Sequence, residues 1–256
     1  MTRDLPVKKL SPEEKELGLK EEELKRFQDD LVQKELELST LHQELADFTA
    51  RYTSAVGESY ARLDRLKYCI ADLLERHDPT ENAAKLSAKY RSRAENSERE
   101  SKQVPKMVAE SFAPKSSTKD IFRKLVRLVH PDLVVELEER SKRNQMMSEI
   151  NQAYCRGDEE RLQQILQEVQ TNAGVVETGD IGARLVLLIR RIHQVRERIG
   201  KIELEVVELK SSDAFHLFCE SENSEQQGRN LFQDLTGAAS SEYKSVLQQL
   251  RDILAD

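Results

Sequence analysis

Leucines spaced by seven decide what kind of structure this chain can adopt. Leu24, Leu31, Leu38 and Leu45, followed by Tyr52, recur once every seven residues. Phe27, Leu41, Phe48 and Ala55 fill a second seam position, with Lys34 as a polar exception. An apolar period of seven belongs to an α-helix that packs lengthwise against another helix. Farther on, Leu63, Leu66, Ile70 and Leu73 continue in an offset register, which places a stutter near Gly57 and Ser59. A stricter series runs through Leu185, Leu188, Ile192, Val195, Ile199, Ile202, Val206 and Leu209 in alternating steps of three and four. After a polar break at residues 220–228, a last helix carries Leu231, Phe232, Leu235, Tyr243, Val246, Leu247, Leu250 and Ile253.

The composition agrees with long helices and limits the alternatives. Charged residues make up 34% of the chain and aromatic ones 5%, with no Trp, which is too polar for one large core. Gly and Pro number only 9 and 6, so hairpins would lack turn chemistry. The expected fold is all-α, with elongated coiled-coil arms flanking one small helical unit. The net charge of −7, with bases and acids interleaved, argues against a dedicated nucleic-acid binder. No apolar run is long enough to span a membrane, and the N-terminus lacks the apolar core of a signal peptide. Cys69, Cys155 and Cys219 are odd in number and far apart, with no metal-ligand spacing. A cytoplasmic protein without cofactor or metal is the expectation.

Along the chain, residues 1–20 read as a polar disordered tail and 21–77 as a coiled coil. Residues 78–117 read as a linker with room for a solvated helix. Residues 118–170 form a compact helical domain, 171–180 a hinge, and 181–256 a coiled-coil helical hairpin. Packing of the second coil on the first, or homo-oligomerisation, would bury the same stripes, and the sequence does not choose among them.

The compact domain carries the chemistry. On a helix from Lys119 to Val129, the residues Ile121, Phe122, Leu125, Leu128 and Val129 share an apolar back. Lys119, Arg123, Lys124 and Arg127 make a basic front, although cations near a helix C-terminus also suit its dipole. Thr118 is a candidate N-cap. His130-Pro131-Asp132 ends the helix, because proline and its predecessor leave helical geometry, and the tripeptide is expected in a tight exposed loop. A further helix from about Glu136 to Tyr154 places Met147, Ile150 and Tyr154 on one face, with Asn151 beside it. Gly157 stops that helix and Asp158 caps another, whose buried stripe is Leu162, Ile165, Leu166 and Val169.

The run Phe122-Arg123-Lys124-Leu125-Val126-Arg127-Leu128-Val129-His130-Pro131-Asp132 resembles the second helix and HPD loop of a J domain, the DnaJ-type co-chaperone module. Met147-Ser148-Glu149-Ile150-Asn151-Gln152-Ala153-Tyr154 is similar to the third helix of that family. The resemblance covers about residues 118–156. It implies docking on a DnaK-type chaperone and stimulation of its ATP hydrolysis. By position, His130, Pro131 and Asp132 would trigger hydrolysis, and Lys119, Arg123, Lys124 and Arg127 would steer and contact the partner. Phe122, Leu125, Met147, Ile150 and Tyr154 would hold the helix pair together. The coiled coils would serve an unknown client, targeting or self-association.

The family's first helix has no evident counterpart, with Met107, Val108 and Phe112 as its only candidates. The segment after the tripeptide, Leu133-Val134-Val135-Glu136, is more apolar than usual for the family. There is no Gly/Phe-rich segment or cysteine-rich zinc module, which excludes a full-length DnaJ. The alternative reading is a coiled-coil scaffold in which His130 merely ends a helix and Asp132 caps the next. An enzyme is not expected. His42, His77, His193 and His216 are scattered, and no phosphate loop or nucleophile elbow is present.

Overall fold

A computed structural model describes residues 11–103, 113–172 and 180–255, which are helical with no strand among them. The helices are α1 (Pro12–His77), α2 (Glu81–Gln103), α3 (Ser116–Val129), α4 (Leu137–Cys155), α5 (Glu159–Asn172), α6 (Ile181–Lys210), α7 (Asp213–Gln226) and α8 (Leu231–Ala255). One 3-10 turn, Pro131–Leu133, joins α3 to α4. No helix among the described residues is long and apolar enough to cross a membrane.

The expected disordered tail ends earlier than residue 20. A capping box starts α1: the Ser11 N–H donates to Glu14 Oε2 at 2.7 Å, and the Glu14 N–H donates to Ser11 Oγ at 3.2 Å. Pro12 occupies the first helical position, where its missing N–H costs nothing. Residues 12–20 are therefore the opening turns of α1, and only residues 1–10 of that segment lie outside the described residues.

The described residues form two compact units. Residues 11–43 and 113–210 make the first, and residues 44–103 and 211–255 the second. In the first unit α6 runs parallel to the start of α1. Ion pairs join Arg184 to Glu21 at 3.0 Å, Lys34 to Glu203 at 3.1 Å and Lys210 to Glu37 at 3.1 Å, and Arg196 lies over the Phe27 ring. The α6 stripe Leu188, Ile192, Val195, Ile199, Ile202 and Val206 is buried, as are Leu24, Leu31 and Leu38 of α1. Residues 181–256 thus do not make one hairpin. Their first helix belongs with α1, whereas α7 and α8 belong to the second unit.

In the second unit, α2 replaces most of the expected linker. It packs antiparallel on α1 through small residues. Ser87 and Ala94 are buried, Ser101 lies beside Gly57, and the buried Asp64 carboxylate accepts from Ser97 Oγ at 2.7 Å and forms an ion pair with Arg93, whose Nε lies 3.0 Å away. A Cβ on Gly57 would sit in ordinary contact with Ser101 of α2 at 3.8 Å and press on Thr53 of its own helix at 3.2 Å. The α1 stripe also slips where the stutter was expected, although Val56 rather than Ala55 turns inward. Phe48 of α1 meets Phe218 of α7, and both Phe48 and Tyr52 meet Phe232 of α8, with ring centroids 5.6–6.2 Å apart. The polar break expected at 220–228 is mostly helical, since α7 continues to Gln226 and ends at Gly228 with φ +70°.

Candidate functional site

The turn at residues 130–132 sits on a small core that the expected residues build. Phe122, Leu125, Val126 and Val129 of α3 pack with Met147, Ile150, Ala153 and Tyr154 of α4 and with Leu162 and Ile165 of α5. The Phe122 and Tyr154 rings lie 4.5 Å apart, centroid to centroid. Gly157 ends α4 with φ +66°, a conformation natural only to glycine, and Asp158 Oδ1 caps α5 by accepting the Arg161 N–H at 2.9 Å. Two details differ from expectation. The buried stripe of α3 is centred on Leu125 and Val129 and includes Val126, which leaves Leu128 41% exposed on its flank. Thr118 is not a cap, because α3 begins at Ser116. Its buried hydroxyl donates instead to Glu159 Oε2 at 3.2 Å.

Two residues of α1, Val32 and Leu36, complete this core. They lie off the heptad stripe of Leu31 and Leu38, so α1 is covered on two sides between residues 31 and 39. Thr40 Oγ1 and the Tyr154 hydroxyl form a 2.8 Å hydrogen bond that ties α1 to α4. A helix therefore lies against α3 and α4, supplied from α1. The candidates Met107, Val108 and Phe112 fall outside the described residues.

The tripeptide is not an exposed loop. His130 is 2% exposed and Asp132 7% exposed, because α1 and α6 pack over the turn. The Asp132 N–H donates to His130 Nδ1 at 3.2 Å, so this nitrogen carries no hydrogen and the imidazole hydrogen is on Nε2. His130 Nε2 then donates to Glu35 Oε1 of α1 at 3.0 Å. Both ring nitrogens are engaged inside the protein. The same Glu35 oxygen accepts from Arg198 Nε of α6 at 2.8 Å, and Arg198 also reaches Glu205 at 3.2 Å. Asp132 does not cap α4, which begins after Glu136. Its carboxylate holds Arg140 on the first turn of α4.

Glu35 is only 4% exposed. Burial pushes its carboxyl pKa up, but the hydrogen bonds from His130 and Arg198 and the Arg198 charge outweigh this and hold it below the ordinary carboxylate value. The Arg198 guanidinium is correspondingly held in its charged form by Glu35, against the opposing effect of burial.

The basic front of α3 is divided. Arg127 pairs with Asp29 of α1 at 2.5 Å and Arg123 with Asp120 at 2.8 Å. Lys124 is exposed and Lys119 half-buried, and neither meets a carboxylate among the described residues. Beyond the turn, Leu137 is 81% exposed. An open cleft of about 750 Å³ borders the tripeptide, lined by Glu35, His130, Asp132, Arg140, Asn151 and Arg198. The sequence reading did not single out Glu35, Arg198 or Thr40. The visible signal for Glu35 was a carboxylate placed between Val32 and Leu36, a second apolar pair outside the heptad stripe.

No family model matches the chain, and no curated protein or solved structure matches it either.

Proposed function

We propose that the chain is a J-domain-like co-chaperone. It docks on a DnaK-type chaperone through His130, Pro131, Asp132 and the cations of α3, and its long helices serve client binding, targeting or self-association. The observation that carries this reading is the tripeptide itself. It forms the turn between two helices packed through Phe122 and Tyr154, at the end of a helix that presents Lys119 and Lys124. An exposed leucine on either side of the turn, Leu128 and Leu137, adds apolar surface next to the charge.

One observation favours a second reading, a coiled-coil scaffold that keeps the tripeptide for structure. His130 and Asp132 are buried, and both ring nitrogens of His130 and one carboxylate oxygen of Asp132 are hydrogen-bonded within the chain. Steady-state ATPase assays of a cognate DnaK-type chaperone, with the full chain over a range of concentrations, separate the two. The docking reading expects stimulation that His130→Gln and Asp132→Asn both remove while helical circular dichroism stays unchanged. No stimulation at any concentration, from the wild type or from an Arg198→Ala chain, leaves the scaffold reading in its place.

A further inference from the structure

The network over the tripeptide is built unlike the rest of the interface. Along α1 and α6 the seam is apolar, yet Glu35 places a carboxylate in a position that is otherwise covered. A buried ion pair generally adds little net stability over apolar residues of the same size, because desolvation offsets the attraction. An apolar side chain at residue 35 would close the seam without that cost. It would not engage the imidazole. Glu35 bonds His130 directly, and Arg198 bonds that same Glu35 oxygen.

The cover is also separable from what it covers. The core of α3, α4 and α5 consists of their own residues, Phe122, Leu125, Val126, Ile150, Tyr154, Leu162 and Ile165 among them. Among the described residues, α1 adds Val32 and Leu36, the Thr40–Tyr154 hydrogen bond, the Glu35–His130 hydrogen bond and the exposed Arg127–Asp29 pair. The helix α6 packs on the turn, and its Arg198 bonds Glu35. The polar cleft beside the tripeptide brings solvent to the edge of this seam. Moving α1 and α6 off the turn would uncover the part of this core that Val32 and Leu36 cover, while Phe122, Leu125, Ile150, Tyr154, Leu162 and Ile165 still have one another to pack on.

We propose that Glu35 and Arg198 form a latch that holds the docking turn inward, so that the protein is closed at rest and docks only after α1 and α6 release His130. The inference rests on the docking reading of the preceding section. In the closed state both ring nitrogens of His130 and the carboxylate of Asp132 are already bonded, and a partner has to displace Glu35 and Arg140 to reach them. The apparent affinity for a partner is then the intrinsic affinity multiplied by the fraction of molecules that are open.

The test is chaperone ATPase stimulation by the full-length chain and its variants, with binding followed in parallel by biolayer interferometry. Arg198→Ala breaks the latch. Asp29→Lys acts from the surface, where it sets a cation against Arg127 and leaves the core untouched, so it stays informative even where Arg198→Ala folds poorly. Arg198→Ala should lower the half-maximal concentration by about tenfold or more. Asp29→Lys should shift it in the same direction by a smaller factor. Adding His130→Gln to either should abolish the gain. Wild type and variants that stimulate equally, all dependent on His130, would overturn the latch and leave docking intact. If no variant stimulates or binds, docking fails and the latch falls with it.

Discussion

Replacing Glu35 with alanine is the sharpest perturbation of this molecule, because the partners it strands are known. His130 Nε2 keeps its hydrogen in a buried position with no acceptor. Arg198 loses a charge partner but is about a quarter exposed and retains Glu205. An unsatisfied buried donor costs about 1–3 kcal/mol, a partly solvated pair about 0–1 kcal/mol, and the lost methylene packing about 1 kcal/mol. Glu35→Ala should therefore destabilise the first unit by about 2–5 kcal/mol, by these same contributions. His130→Ala removes the same hydrogen bond from the other side, so the two changes should not add. A double-mutant cycle should show a coupling of about 1–2 kcal/mol. Urea unfolding followed by far-UV circular dichroism provides the energies, and amide exchange in α3 and α4 assigns the loss to this unit. Additivity within about 0.5 kcal/mol would mean that the imidazole and the carboxylate are neighbours without being partners, and the reasoning would fail.

Two further outcomes follow from neighbouring features. Because the Glu35 carboxyl is held below its ordinary value in the folded chain, its contribution is present at neutral pH and is lost as pH falls through the folded-state value. Glu35→Gln should be less stable than wild type at pH 7, with the gap closing below about pH 4. A constant gap across the acid range in urea midpoints would contradict the assignment. In the second unit, Ala94→Leu forces extra volume between α1 and α2 and should cost about 1–3 kcal/mol. Limited proteolysis should then cut α2 faster than in the wild type, and an unchanged rate would show that Ala94 is not packed.

The helical content and the buried stripes were readable because apolar period alone specifies them. Leu24, Leu31 and Leu38, and the α6 series from Leu188 to Val206, are buried as their spacing requires. The core residues Phe122, Leu125, Met147, Ile150 and Tyr154 were readable for the same reason. What period cannot specify is the partner. An apolar stripe like that of α6 does not name its partner, and the ion pairs that line its margin with α1, through Arg184, Lys34 and Lys210, are not visible in the period. A solvated helix was legible in residues 78–117, but its packing on α1 was not, because the buried side of α2 is made of Ser87, Ala94 and Ser101. These recur every seven residues, but they are small and partly polar, so they carry no hydrophobic signal. The largest departure, the burial of His130 and Asp132, arises from residues about 70–100 positions away in sequence. A helix end followed by proline reads as exposed unless the distant Glu35 and Arg198 are known to arrive there.

The accessibility of His130 in solution tests the account most directly. His42, His77, His193 and His216 are all exposed, so the chain carries its own reference set for acylation by diethyl pyrocarbonate. Under single-hit conditions at neutral pH, mass spectrometry should find these four modified and His130 protected in the wild type. His130 should become reactive in Arg198→Ala and in Glu35→Ala. A wild-type His130 that reacts as fast as the other four would show that the turn is open without any release, and would contradict the account.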